Sequence, residues 1–249
     1  WFFKITDYAD RLLNDLDDLD WSHAIKSMQR NWIGKSSGAE ITFKVKDSTE
    51  HITVFTTRAD TIFSAAFIVL APEHGLVKKI VTSDQTSEVE AYQKLSVSKT
   101  DIQRQSEGDK EKTGVFTGAY AINPANNEEI PIWIGDFVLA GYGTGAIFGD
   151  IHDERDFVFL KKFGISARVT VIPEDSVEAA KVQAKEYAYT KEGILVDSGD
   201  FSGQRSEVAR DNIIGWLAEG GSAKQVTNYK IRDWLISRQR YWGAPIPIV

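Results

Sequence analysis

The chain has 249 residues, 42% of them hydrophobic, no cysteine and a formal net charge of −7. This length can bury a core in one large domain or two small ones. The missing cysteine excludes disulfides and thiolate metal sites, and the acidic balance argues against a dedicated nucleic-acid-binding domain. Four scattered histidines (His23, His51, His74, His152) fall at no metal-ligand spacing, so no metal is expected. No apolar run nears the ~20 residues of a membrane span, and charge interrupts the first thirteen residues too early for a signal peptide. A cytoplasmic protein with no membrane contact is the expectation.

In chain order, Ile5, Tyr8, Leu12, Leu16 and Leu19 form a stripe that predicts a helix over 5–19, followed by a shorter helix over 22–32 that Gly34 stops. Residues 40–46 alternate, with Ile41, Phe43 and Val45 inward. After a turn over 47–50, residues 51–56 read as the hairpin partner. Residues 67–70 predict a buried strand ended by Pro72, 88–95 a modest helix, and 96–112 a polar surface excursion. Residues 130–139, with Pro131 near their start, predict a strand of a barrel or curved sheet. A helix is expected from Asp153 to Phe163, closed by Gly164, and a strand over 168–172. Two more helices are expected over 177–187 and 207–219, the second with Ala209, Ile213, Trp216 and Leu217 on one face and Gly220 at its end. The fold class is α/β (α+β), a β-rich, barrel-like core decorated with helices.

Two stretches concentrate chemistry. Thr53 to Leu70 puts Thr53, Thr56, Thr57, Thr61 and Arg58 at the end of an apolar strand. Gly141 to Phe157 is a glycine-rich turn followed by His152, Asp153, Glu154, Arg155 and Asp156. Together they predict a polar pocket with a carboxylate at one side, suited to a short ligand carrying a positive amine. Each feature also has a plainer reading. A threonine-rich strand can reflect β-propensity alone, and Asp156 can serve only to screen the first turn of a helix. Basic clusters at Lys26, Arg30 and Lys35, and at Lys230, Arg232, Arg238 and Arg240, can be solvated faces.

The blocks WFFKITDYADRLL, MQRNWIGKSSGAEI, TTRADT, LAPEH, KTGVFTGAYAINPANNEEIPIWI, GYGTGA, HDERDF and RDWLISRQRYWGAPIP stand in the order of a known family. They cover essentially the whole chain. On them the sequence resembles the editing (CP1) insertion of leucyl-tRNA synthetase, a class I enzyme, in its bacterial or organellar form. Isoleucyl and valyl relatives carry tryptophan where Asp60 stands, so Asp60 favours the leucine branch. The synthetic-site motifs are absent. The resemblance implies an excised insertion, with 1–35 leading in from a catalytic core, 36–228 as the editing domain and 229–249 returning to that core.

The implied activity is hydrolysis of the aminoacyl ester of mischarged tRNA(Leu), with isoleucine, norvaline or methionine as the wrong amino acid. The alternative is a non-catalytic insertion, structural or binding the tRNA 3′ end, whose editing site is degenerate through the altered 147–151 segment. The implied partners are the terminal adenosine of tRNA(Leu) and the catalytic core; a monomer is expected. No cofactor is implied for editing, whereas the parent enzyme would use ATP and Mg for aminoacylation. Among the residues matching the family's motifs, Asp156 would bind the α-ammonium, and Thr61 would fill the space that leucine's γ-branch needs. Thr56 and Thr57 would hold the attacking water or the ester carbonyl, assisted by the substrate's own ribose hydroxyl. Arg58 would contact the terminal nucleotide, with Tyr142 and Gly143 supporting it and Asp60 nearby. His152 is a candidate general base or a supporting residue; Asp153, Glu154 and Arg155 would form an ion-pair network that holds Asp156 in place. Two departures stand out: Ala59 where the family has proline, and IFGDI over 147–151 where the family has a longer apolar run. The second places an extra carboxylate, Asp150, near the expected ester.

Overall fold

A computed structural model describes residues 2–100, 103–104, 112–140 and 143–235. Its contacts divide the chain into two units, one made of the two ends (up to Gly38 and from Val226) and one of Ala39–Gln225.

The first unit opens with β1 (Phe2–Phe3), a 3-10 turn over Ile5–Tyr8, α1 (Ala9–Asp15) and α2 (His23–Ile33). The helix expected over 5–19 is thus shorter and split. Tyr8, Leu12 and Leu19 of its predicted stripe are exposed, and Ala9, Leu16 and Ile33 form the small buried cluster instead. Ser22 caps α2, and Gly34 ends it in the left-handed conformation at φ +60°, which costs a residue without Cβ nothing. The basic cluster here is a solvated face: Lys35 pairs with Asp10, and Arg30 with Asp17.

The second unit begins within β2 (Lys35–Val45), which turns back into β3 (His51–Thr56) with Lys44 opposite His51. Ile41, Phe43 and Val45 point into the core as their alternation predicts. A buried 3-10 helix, Ala59–Ser64, leads to β4 (Phe67–Leu70). Next come α3 (Val77–Ile80), α4 (Thr86–Val97), β5 (Val115–Ile122), β6 (Glu129–Ile134) and β7 (Ala146–Gly149). Then follow α5 (Glu154–Phe163), β8 (Val171–Ile172), α6 (Ser176–Gln183), β9 (Ile194–Leu195), α7 (Ser206–Glu219) and β10 (Ala223–Tyr229). Finally β11 (Trp234–Leu235) pairs with β1 in the first unit.

The main sheet runs β10-β2-β5-β6-β4-β7, with β3 on the other edge of β2. β4 is parallel to β6 and antiparallel to β7. Its four residues are all buried because both faces are covered. Ile68 and Leu70 face the larger core with Ile41, Phe43 and Ile132, whereas Phe67 and Val69 face a second cluster with Phe159 and Leu160. Each such fully buried side chain is worth roughly 1.5–3 kcal/mol, so β4 ties two cores together. β3 and β7, at opposite ends of one strand path, lie against each other, yet no ladder joins them among the described residues. The sheet is rolled toward a barrel and left unclosed at that seam.

Several expected boundaries move. The strand expected over 130–139 ends at Ile134, and that over 168–172 shrinks to Val171–Ile172. β5, β7 and β9 went unforeseen. In the expected surface excursion, Ser96, Arg104 and Lys112 are buried; Arg104 binds Glu73 and the carbonyls of Asp136 and Val138. On α7, Ala209, Ile213 and Leu217 are buried, while Trp216 is 42% exposed and stacks on Phe63. Gly220 ends α7 as expected, and Gly221 behind it is left-handed at φ +73°.

Candidate active site

β3 delivers Thr56 to the seam. The Thr56 hydroxyl accepts the Arg58 amide at 2.9 Å, a local bond that pulls the backbone out of the strand. The chain then enters the buried 3-10 helix, where Asn123 Nδ2 donates to the Ile62 carbonyl at 2.9 Å. Thr56 is half-buried, Thr57 exposed and Thr61 buried. The Thr61 hydroxyl lies 2.9 Å from the Arg58 carbonyl and 2.6 Å from Asp150 Oδ2.

From the opposite side, β7 delivers Asp150 through Gly149. A Cβ on Gly149 would stand 2.0 Å from the Phe67 ring, so glycine here lets the ring lie flat on the strand. Burial pushes the Asp150 carboxyl up to about 6. His152 follows, 4% exposed. Its Nδ1 lies 3.1 Å from the Tyr189 carbonyl, which can only accept, so Nδ1 carries the proton. Nε2 accepts the amides of Thr170 and Val171 at 3.1 and 3.2 Å. Both ring nitrogens are spent, and burial pushes the imidazole down to about 4. That arrangement is structural and leaves no lone pair for a general base.

Asp153 is the N-cap of α5, its Oδ1 accepting the amides of Arg155 and Asp156 at 2.9 and 3.1 Å. Burial opposes its charge, but Lys112 and the capped amide outweigh this and hold its carboxyl below the usual range. Capping therefore falls to Asp153, and Asp156 is left for another partner. Lys112 donates to Asp156 Oδ1, both side chains being nearly buried. Lys112 also stands 4.8 Å from the centroid of the Phe137 ring. Burial pushes Asp156 up to about 7 even though Lys112 works against it.

Arg58 is held from behind. Its Nε and Nη2 donate to Asp60 at 2.9–3.1 Å, and Nη1 to the Thr190 carbonyl at 3.1 Å. Asp60 has no exposed surface and also accepts Arg210 Nε of α7 at 3.0 Å. Arg210 Nη2 continues to Glu192 at 2.8 Å. Any effect of Asp60 on a ligand thus runs through the Arg58 guanidinium.

These groups surround a cavity of about 330 Å³ at the β3–β7 seam. Of the residues expected from the sequence, Thr56, Arg58, Thr61, His152, Asp153, Arg155 and Asp156 line it. Thr57, Asp60 and Gly143 do not, and Tyr142 lies outside the described residues. Gly143 has a φ of +60° in open surroundings. Sequence reasoning missed Lys112, Thr190 and Arg210. A larger groove of about 570 Å³ touches Ser64, Glu128, Arg168 and Lys185 and none of the expected residues. Among the described residues no group of three or more His, Asp or Glu side chains could hold a metal ion, and no helix is long and apolar enough to cross a membrane.

Comparison with known proteins shows the family of the chain. The family model "Leucyl-tRNA synthetase, editing domain" matches residues 30–218. A leucine–tRNA ligase of Clostridium perfringens is 50% identical over 250 aligned positions, which take in the whole of this chain and 30% of that protein. Among solved structures, the LeuRS of Agrobacterium radiobacter K84 in ternary complex with tRNA and LeuAMS aligns with a TM-score of 0.74 at 36% identity. That match covers 99% of this chain and 27% of the solved one. The chain thus spans under a third of the relatives it matches. Its full-length similarity to one of them, together with the family match over most of its residues, shows that the chain belongs to the leucyl-tRNA synthetase editing-domain family.

Proposed function

We propose that the chain hydrolyses the aminoacyl ester of mischarged tRNA(Leu), acting within a longer synthetase. The observation that supports this most is the meeting of Thr61 and Asp156 on one cavity. A synthetic site distinguishes amino acids that differ by one methyl group by only ~1–3 kcal/mol. A second site that admits the wrong ester and excludes the right one multiplies that ratio.

In this reading Asp156 takes the α-ammonium through Oδ2, since Lys112 holds Oδ1. Thr61 occupies the space that a leucyl side chain needs, while isoleucyl, norvalyl or methionyl groups fit beside it. Arg58, braced by Asp60 and Thr190, meets the terminal adenosine. Thr56, with Thr57 at the rim, positions water or the ester carbonyl. Because His152 has both nitrogens engaged, the proton of the attacking water is relayed by the substrate's own free ribose hydroxyl or by solvent to the ribose oxygen that leaves as the ester C–O bond breaks. The protein contributes placement and polarity. The tRNA partner is supported by the solved relative, which holds tRNA. ATP and Mg would belong to aminoacylation elsewhere in the synthetase, and a cytoplasmic location follows from that role.

A second reading, a non-catalytic tRNA-end-binding insertion, draws on one observation: the Lys112 ammonium already pairs with Asp156. One assay separates the two. Deacylation of isoleucyl- and leucyl-tRNA(Leu) is followed for the chain and for its Thr61→Ala and Asp156→Ala variants. Editing requires hydrolysis of the isoleucyl ester alone, extension to leucyl in Thr61→Ala, and loss in Asp156→Ala. A folded chain that binds the esters and hydrolyses neither favours the second reading.

A further inference from the structure

Asp150 stands at the exit of β7, 89 positions from Thr61 in sequence, and its Oδ2 accepts the Thr61 hydroxyl at 2.6 Å. Both side chains are buried, and both border the cavity. The other carboxylate oxygen of Asp150 accepts the His152 amide at 2.6 Å. That amide is itself fixed, because the His152 ring is clamped between the Tyr189 carbonyl and the amides of Thr170 and Val171. Asp150 is therefore braced on one side by immobile backbone and grips Thr61 with the other.

The Cβ of threonine carries a hydroxyl, a methyl and a hydrogen in staggered wells, so fixing the direction of the hydroxyl fixes that of the methyl. We propose that Asp150 is a positioning residue for specificity: its carboxylate locks Thr61 in one rotamer and makes the Thr61 methyl a fixed wall of the cavity. This rests on the editing reading for its consequence but not for its geometry. A threonine free to change rotamer would yield to a side chain one methyl larger; a locked one does not. The Thr61 hydroxyl also reaches the Arg58 carbonyl, and the competing view is that this local bond suffices.

Two readouts on the 249-residue chain decide between them. The first is the pair of three-bond couplings to the Thr61 methyl carbon, which report χ1 by NMR. Wild type should show one rotamer, Asp150→Ala an average, and Asp150→Asn one rotamer again. Asn can accept the His152 amide through its oxygen and donate to the Thr61 hydroxyl oxygen, which frees the hydroxyl proton for the Arg58 carbonyl. The second readout is the ratio of leucyl to isoleucyl hydrolysis, measured with 3′-O-aminoacyl adenosine so that tRNA delivery plays no part. The ratio should rise about tenfold in Asp150→Ala, the scale of one hydrogen bond to a charged group, and stay near wild type in Asp150→Asn.

Unchanged couplings or an unchanged ratio in Asp150→Ala overturn the lock. A fall of both ester rates at a constant ratio assigns Asp150 to folding alone and overturns it as well. If no ester is hydrolysed by wild type, the editing reading fails, and the couplings still decide the lock.

Discussion

Lys112 reaches Asp156 from 44 positions away in the chain and meets it in a pair whose side chains are 8% and 9% exposed. Burial pushes Asp156 up to about 7, and Lys112 is the main force opposing that rise. Asp153 and Asp150, the other charges facing it, add to the rise. If Asp156 must be ionised to take the α-ammonium, kcat/KM for ester hydrolysis should climb as pH rises through about 7. It should fall again where the substrate amine loses its proton, at about 7.7–8. In Lys112→Met the rising limb should move to higher pH, because the countercharge is gone. A pH–rate profile of both proteins checks this; coincident rising limbs would remove Asp156 from the titration.

His152 separates a structural from a catalytic histidine by magnitude. Loss of a general base costs about 10²–10⁴ in rate, whereas His152→Gln should lower kcat by less than about tenfold, since neither ring nitrogen is available to the substrate. Its cost should appear in stability, roughly 1–3 kcal/mol, from the amides of Thr170 and Val171 left unpaired.

The pH dependence of that stability has a definite sign. The folded value for His152 is about 4 against an ordinary 6.5, so its contribution is fully present above 6.5 and is lost as pH falls toward 4. Asp150 and Asp156 act oppositely: their folded values of about 6 and about 7 lie above 3.8. Their contributions are present below 3.8 and are lost as pH rises through those values. Urea unfolding of wild type and His152→Gln across this range isolates the histidine. The gap between the two curves should be flat above 6.5 and narrow on the acid side.

Arg210 should matter to binding without touching the cavity. It shares the Asp60 carboxylate with Arg58, so Arg210→Met frees Asp60 to draw Arg58 out of place. The expected result is a higher KM for aminoacyl adenosine, by about tenfold for one charge-assisted hydrogen bond lost, with a smaller change in kcat. The KM effects of Arg58→Met and Arg210→Met should fail to add in the double variant, because the two guanidiniums act through one carboxylate. Additive effects would show that the network is not coupled.

Gly149→Ala tests how Asp150 is delivered. The new methyl would meet the Phe67 ring at 2.0 Å, and Phe67 is fully buried and stacked on Phe159 at 4.7 Å. A ring held this way cannot yield, so the substitution should cost about 1–3 kcal/mol through overpacking. Thermal unfolding should show part of that loss regained in Gly149→Ala with Phe67→Leu. No cost at all would mean that β7 shifts freely.

Local patterns carried much of this molecule. The alternation of Ile41, Phe43 and Val45 marked β2 and its hairpin, and the all-apolar run at Phe67 marked a strand buried on both faces. Gly164 marked the end of α5, where it stands left-handed at φ +64°. Ordered motifs also marked Thr56, Arg58, Thr61, Asp153 and Asp156 as neighbours of one pocket. β5 was hidden because Gly118 at φ +83° and an irregular register between Phe116 and Tyr120 break its alternation; β7 is only four residues beside glycines. What tertiary structure alone decided is which charged groups face one another. Asp156 meets Lys112, Asp60 meets Arg210, and Asp150 meets Thr61. His152, a plausible base in sequence, is clamped by Tyr189, Thr170 and Val171. Hydrophobic period is written along a strand or helix because neighbouring residues share its geometry. Ion pairs and buried carboxylates depend on distance through space and on desolvation, and neither is a property of a residue's place in the chain.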